Sequence, residues 1–160
     1  VTGTGFLRIP SLLKDLGPFG IRVSTSEEDN ILDRNMFKSK IHRATVTEAN
    51  LEYEGSITID ADLMDAAEML PYEEVHVWDL NNGSRLVTYT LPGPRGTGTI
   101  CVNGAAAHMV KPGDKVILAT FARMSEEEAR THQPKVVLVD EDNAVVSFTH
   151  QEAPFQRATV

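Results

Sequence analysis

The 160-residue sequence predicts an all-β protein. Three observations carry that reading. Short runs rich in Val, Ile and Thr recur along the chain, and turn residues punctuate them every ~8–12 positions. Asn82-Gly83 sits between two such runs and is the strongest short hairpin signal. Helical spacing or capping is confined to brief stretches. Evenly spaced short strands build a barrel or a sandwich, and pattern alone leaves both open.

Residues 1–35 stand apart. Gly3, Gly5, Pro10, Gly17, Pro18 and Gly20 interrupt the apolar pattern, and Ser24 to Asn30 is a polar run. A flexible extension is expected there, with one or two helical turns over Ser11 to Leu16. Residues 36–148 read as one folded domain, and 149–160 as a loose tail.

Within the domain, Phe37 to Val46 alternates as a strand, with Ile41, Arg43 and Thr45 on one face and His42, Ala44 and Val46 on the other. Thr47 to Leu51 reads as a turn or short helix, and Ser56 to Asp60 as the next strand. Asp62 is placed to cap a helix over Leu63 to Leu70, where Leu63, Ala66, Ala67 and Leu70 share a face and Pro71 ends it. Glu74 to Leu80 and Ser84 to Leu91 form the hairpin. Pro92 to Gly98 is a loop, Thr99 to Val102 a strand, Asn103-Gly104 a turn, and Ala105 to His108 at most a short helix. Lys115 to Met124 is a long apolar strand. Ser125-Glu-Glu-Glu128 is a capping box opening an acidic helix. Val136 to Val139 and a weaker run, Ala144 to Phe148, close the pattern.

The net charge of −8 argues against nucleic acid or an anionic membrane as the main partner. The single cysteine, Cys101, rules out an internal disulfide and fits a reducing compartment. Its strand-like setting suggests a small buried side chain. No apolar run approaches the ~18 residues of a membrane span, and no secretory signal is visible, so the cytoplasm is the expected address. Dinucleotide, calcium-loop and Gly-x-Ser-x-Gly patterns are missing, and the five His residues show no metal-ligand spacing.

The informative stretch is Tyr53-Glu54-Gly55-Ser56-Ile57. Gly adopts backbone angles closed to other residues, and strained backbone concentrates at functional sites. A Ser hydroxyl behind a strained peptide can attack the carbonyl before it and give an ester. Elimination would then break the chain and leave a ketone. Gly-Ser is also an ordinary turn pair, so the dipeptide needs its surroundings. Those are Lys40-Ile41-His42-Arg43, Tyr53-Glu54-Gly55-Ser56, Asn82-Gly83-Ser84-Arg85 with Thr88-Tyr89, and Asn103-Gly104-Ala105-Ala106-Ala107-His108, in that order. From about Met36 to about Asp142 the chain resembles the aspartate 1-decarboxylases, pyruvoyl enzymes that make β-alanine for pantothenate synthesis.

The resemblance implies a small double-psi β-barrel assembled as a homotetramer, with active sites between subunits. It implies self-cleavage at Gly55-Ser56, with Ser56 becoming the pyruvoyl group that holds the substrate amine as a Schiff base. A maturation factor is a possible further partner. Arg85 and Lys40 would bind the carboxylates of L-aspartate, a task suited to the Arg fork, and Tyr89 would protonate the carbanion after CO2 leaves. Thr88 would assist cleavage and touch substrate. Gly104, Ala105 and Ala106 would line the substrate site, while Asn103 orients the intermediate and His42 and Tyr53 support it. Trp78 also matches. Tyr89 shares a strand face with Arg85, whereas Thr88 points the other way, so a bulge or local twist is expected there. The rival readings are an unprocessed barrel that binds an acidic metabolite or protein partner, and a pyruvoyl decarboxylase for another amino acid.

Overall fold

The computed structural model describes residues 33–151. The expected helical turns over 11–16, most of the extension and residues 152–160 of the tail lie outside the described residues. The described chain forms nine strands: β1 (Arg34–Thr45), β2 (Glu48–Asn50), β3 (Ser56–Asp60), β4 (Glu74–Asp79), β5 (Arg85–Gly93), β6 (Ile100–Asn103), β7 (Lys115–Met124), β8 (Lys135–Val139) and β9 (Val145–Thr149). Two short helices, α1 (Ala61–Ala66) and α2 (Glu126–Thr131), and a 3-10 helix (Gly104–His108) fill connections. None of the described helices is long and apolar enough to cross a membrane.

The strand order is β2-β6-β3-β5-β4-β7-β1-β8-β9. β1 and β2 lie far apart in that order, yet only Val46 and Thr47 separate them in sequence. The sheet must therefore curl until β2 returns to the end of β1. The seam is visible in hydrogen bonds: Val46 N–H donates to Asp114 O at 2.9 Å, and Thr47 N–H to Ile100 O at 2.8 Å. The all-β expectation holds, and the sheet curls as a small barrel. Ile41, Ile57, Ile59, Val75, Val77, Ile100, Val102 and Leu118 fill it, all at most 1% exposed. Each such side chain contributes about 1.5–3 kcal/mol by leaving water.

Several local readings need correction. Strict alternation fails in β1, because Ile41, Ala44 and Val46 are all buried. The register shifts between Ile41 and Ala44, and Arg43 takes a φ of 64°. This bulge turns the parity of the strand. Within 47–51, Glu48–Asn50 form a strand rather than a turn or helix, because Glu48 pairs with Cys101 and Asn50 with Asn103; sheet pairing overrides local propensity. Helix α1 is shorter than its apolar spacing suggests, and its cap is Asp60, whose side chain accepts from Asp62 N–H. β5 continues through Pro92 to Gly93 by pairing with β3. The capping box at Ser125 and Glu128 forms as read.

Two buried polar side chains lock the loop before β6. Asp60 accepts from Gly98 N–H at 2.7 Å, Asp62 N–H at 2.8 Å and Gly96 N–H at 3.2 Å. Asn143 uses its whole amide: Oδ1 accepts from Thr45 N–H at 2.7 Å, and Nδ2 donates to Gly98 O at 2.7 Å and Thr45 O at 2.8 Å. Burial pushes the Asp60 carboxyl upward, but the backbone donors outweigh it and hold it below the usual range. A carboxyl lowered in the folded state stabilises fully above its unfolded value of about 3.9. That stability is lost as pH falls through the lower folded value. Asp60→Asn would set an amide N–H against these donors. It should cost about 1–3 kcal/mol at neutral pH and flatten the loss of Tm in acid, as thermal melts from about pH 3 to 7 will show.

Candidate active site

β3 is paired on both sides, and the two registers set what meets the Gly55-Ser56 peptide. Ser56 pairs with Asn103 of β6, which brings Gly104 alongside Gly55. Ile57 pairs with Thr90 of β5, which brings Tyr89 level with Ser56. Both consequences appear in the contacts. The Tyr89 hydroxyl donates to Gly55 O at 2.9 Å. A Cβ on Gly104 would stand 2.9 Å from Gly55 Cα and 3.3 Å from Tyr53 O, and Gly104 has a φ of 58°. Gly is needed there for both close approach and backbone angle.

Ser56 carries the strain expected of Gly55. Its φ is 137°, a region that residues with a Cβ rarely adopt. Ser56 is 2% exposed, and its Oγ is buried with no hydrogen-bond partner among the described residues. A buried hydroxyl without a partner is costly and is uncommon outside sites of chemistry. Here it sits beside the one carbonyl that a neighbouring phenol polarises.

Asn103, 3% exposed, is fixed at both ends. Its Nδ2 donates to Thr58 Oγ1 at 3.1 Å, and its Oδ1 accepts from Cys101 Sγ at 3.1 Å. Burial first, then the charge of Glu48, push the Cys101 thiol up to about 11. It remains the neutral donor that Asn103 needs. Ala105 and Ala106 follow in the 3-10 helix beside this pair.

The expected cations lie elsewhere on the sheet. The Arg85 guanidinium stacks over Trp78 at 5.0 Å, and Lys40 Nζ stands 5.8 Å from the Phe37 ring. A row of ring contacts joins them: Trp78 to His76 at 6.2 Å, His76 to Phe121 at 4.9 Å, and Phe121 to Phe37 at 6.0 Å. Arg85 shares a face with Tyr89, but the four-residue step from one to the other spans roughly 13 Å. Lys40 lies three strands beyond β5, roughly 14 Å across the sheet. His42 is on β1, paired with Leu138. The described chain thus gathers Tyr53, Gly55, Ser56, Tyr89, Asn103 and Gly104, whereas the ring contacts of Arg85 and Lys40 are with Trp78 and Phe37.

The bulge expected near Thr88 is not there. The β4–β5 ladder runs unbroken from Trp78 opposite Arg85 to Glu74 opposite Tyr89. Thr88 therefore faces away from Tyr89, as plain alternation requires. The irregularity sits across the ladder instead, at Ser56. The sequence reading also missed Thr58, which could have been found from its place two residues past Ser56 on the same strand face. It missed Tyr72, whose ring lies 6.5 Å from that of Tyr89; nothing in a loop sequence announces that.

Fold and site define a class: small β-barrels that hold one strained internal Gly-Ser peptide between two strands. Residues 32–146 match the family described as aspartate decarboxylase. The chain is also 57% identical over 121 residues to aspartate 1-decarboxylase of Heliobacterium modesticaldum, an alignment spanning 76% of this chain and 92% of the relative. The chain belongs to the aspartate decarboxylase family.

Gly104→Ala should disturb the Gly55-Ser56 peptide more than the barrel. A Cβ there meets backbone, which cannot swing aside. We expect a loss of about 1–3 kcal/mol from the overpacked contact, read by thermal melting. A larger effect is expected in hydrogen exchange of the 53–56 segment than of β7. Equal protection in both segments would contradict the close-packed reading.

Proposed function

We propose that the protein converts L-aspartate to β-alanine and CO2, supplying pantothenate synthesis, by means of a pyruvoyl group that it makes from Ser56. The carrying observation is the Ser56 geometry: positive φ, buried hydroxyl, and a preceding carbonyl already hydrogen-bonded to Tyr89. These residues fit the formation of such a group.

Ser56 Oγ attacks the Gly55 carbonyl carbon, and Tyr89 holds the oxygen on which charge develops. The C–N bond of the peptide breaks as the ester forms, which relieves the strained φ. Loss of the Ser56 Cα proton then expels the Gly55 carboxylate and leaves a dehydroalanine. That residue tautomerises to an imine, takes up one water and releases one ammonia. The resulting ketone supplies the electron sink that loss of CO2 from an amino acid requires.

The chain's own residues do the rest. Arg85 and Lys40 bind the two carboxylates of aspartate, a pair that a monoacid substrate would not use. In a homotetramer, the cations of one copy would serve the Ser56 of a neighbour, which accounts for their spacing within one chain. Gly104, Ala105 and Ala106 line the substrate, Asn103 holds its orientation through Thr58 and Cys101, and His42, Tyr53 and Thr88 complete the walls. Tyr89 donates its proton to Cα after CO2 leaves.

Ser56→Ala should remain a single band on a denaturing gel and release no β-alanine. Full activity in that variant would end this reading. Arg85→Ala should be cleaved normally but lose about 10–100-fold in kcat/KM for aspartate, the worth of a charged hydrogen bond. An unchanged KM would move the carboxylate site elsewhere. Tyr89→Phe loses one hydrogen bond to the Gly55 carbonyl and should be cleaved up to about 10-fold more slowly. Its turnover, once cleaved, should fall about 10²–10⁴-fold, as for a removed general acid.

A further inference from the structure

The loop between α1 and β4 holds two non-glycine residues at positive φ, Glu68 at 54° and Tyr72 at 67°. For a bulky aromatic residue this conformation is a genuine outlier, and Gly is its usual occupant. Burial of the ring does not account for it, since Tyr72 is 75% exposed. The backbone is held by other groups. Tyr72 N–H donates to Thr90 O at 2.8 Å, and Thr90 N–H to Glu73 O at 3.0 Å. The Thr90 hydroxyl donates to Leu70 O at 2.6 Å. Lys38 of β1 reaches the same loop, donating to Glu68 O at 2.8 Å and to the Glu73 carboxylate at 2.7 Å. Glu73 in turn accepts from Leu70 N–H at 2.9 Å.

The loop is therefore strapped to β5 at Thr90, one residue past Tyr89. The result is a ring pair: the centroids of Tyr72 and Tyr89 are 6.5 Å apart, with planes 35° from parallel. That separation lies within the range where aromatic rings attract. Tyr89 is itself 41% exposed, so core packing alone does not fix its ring. A strained backbone held for the sake of an exposed side chain points to function rather than to packing.

We propose that Tyr72 is a positioning residue for the decarboxylation, its ring limiting the swing of Tyr89 so that the Tyr89 hydroxyl stays over the position of residue 56. This rests on the reading of Tyr89 as the proton donor. Proton delivery depends on the donor keeping its geometry. On the same reading substrate affinity resides in Arg85 and Lys40, whereas the ring contact of Tyr72 is with Tyr89. Loss of the Tyr72 ring should therefore lower kcat and leave KM unchanged.

The test uses the cleaved, assembled enzyme with Tyr72→Phe, Tyr72→Ala and Tyr72→Gly, and with Tyr72→Ala combined with Tyr89→Phe. Tyr72→Ala should lose about 3–10-fold in kcat with KM and oligomeric state unchanged, and Tyr72→Phe should restore the rate. Tyr72→Gly should show the same kcat loss yet melt higher than Tyr72→Ala, because Gly accepts the positive φ. Adding Tyr72→Ala to Tyr89→Phe should cost nothing more, since the two act through one group. Wild-type kcat in Tyr72→Ala, a raised KM, a changed oligomeric state or a further loss in the double variant would each overturn the proposal. Wild-type turnover in Tyr89→Phe alone would instead overturn the underlying reading, and the same assay distinguishes the two.

Discussion

The two-sided pairing of β3 is the constraint on which the site depends. One side sets Ser56 opposite Asn103, and the other sets Ile57 opposite Thr90. A slip of one residue on either side would turn every side chain to the other face. Tyr89 would then leave the Gly55 carbonyl, and Gly104 would no longer lie against Gly55. The register is fixed because Ile57 and Ile59 must stay inside the barrel. Hydrophobic burial thus specifies the position of a polar peptide that adds no apolar burial of its own.

That arrangement lets the barrel carry strain where the proposed chemistry would need it. Backbone at such angles costs about 1–3 kcal/mol per residue, comparable to what one buried aliphatic side chain contributes. Among the described non-glycine residues, Arg43, Ser56, Glu68, Tyr72 and Asn143 have positive φ. Their settings differ. Arg43 sits at a bulge, and Asn143 spends its side chain on three backbone hydrogen bonds. Ser56 has no such compensation, since its hydroxyl is buried and without a partner among the described residues. A group that is strained, desolvated and uncompensated suits the proposed self-cleavage, and that reaction at Gly55-Ser56 would remove the strain.

Much of this was legible in the sequence. The runs from Ser56 to Asp60 and from Lys115 to Met124 form strands with the bounds read from their apolar pattern, because burial alone decides them. The Asn82-Gly83 hairpin and the Ser125 capping box are local chemistry and needed no tertiary knowledge. What could not be read depends on distant partners. β2 is a strand only because β6 lies beside it, and Asp60 rather than Asp62 caps α1, with Gly96 and Gly98 bringing their N–H groups to the same carboxylate. At the site, the family resemblance named Gly55, Ser56, Tyr89, Asn103 and Gly104, which the two registers bring together. It could not show that the strain falls on Ser56 rather than Gly55, that Thr58 anchors Asn103, or that a loop tyrosine stands beside Tyr89.

The most direct test of the central claim is the intact mass of the purified wild-type protein. The account predicts two species from one cut between Gly55 and Ser56. The fragment beginning at residue 56 should be lighter by one ammonia than simple hydrolysis would leave it, and should have no free amino terminus. A single unbroken chain that still releases β-alanine from aspartate at full rate would contradict it.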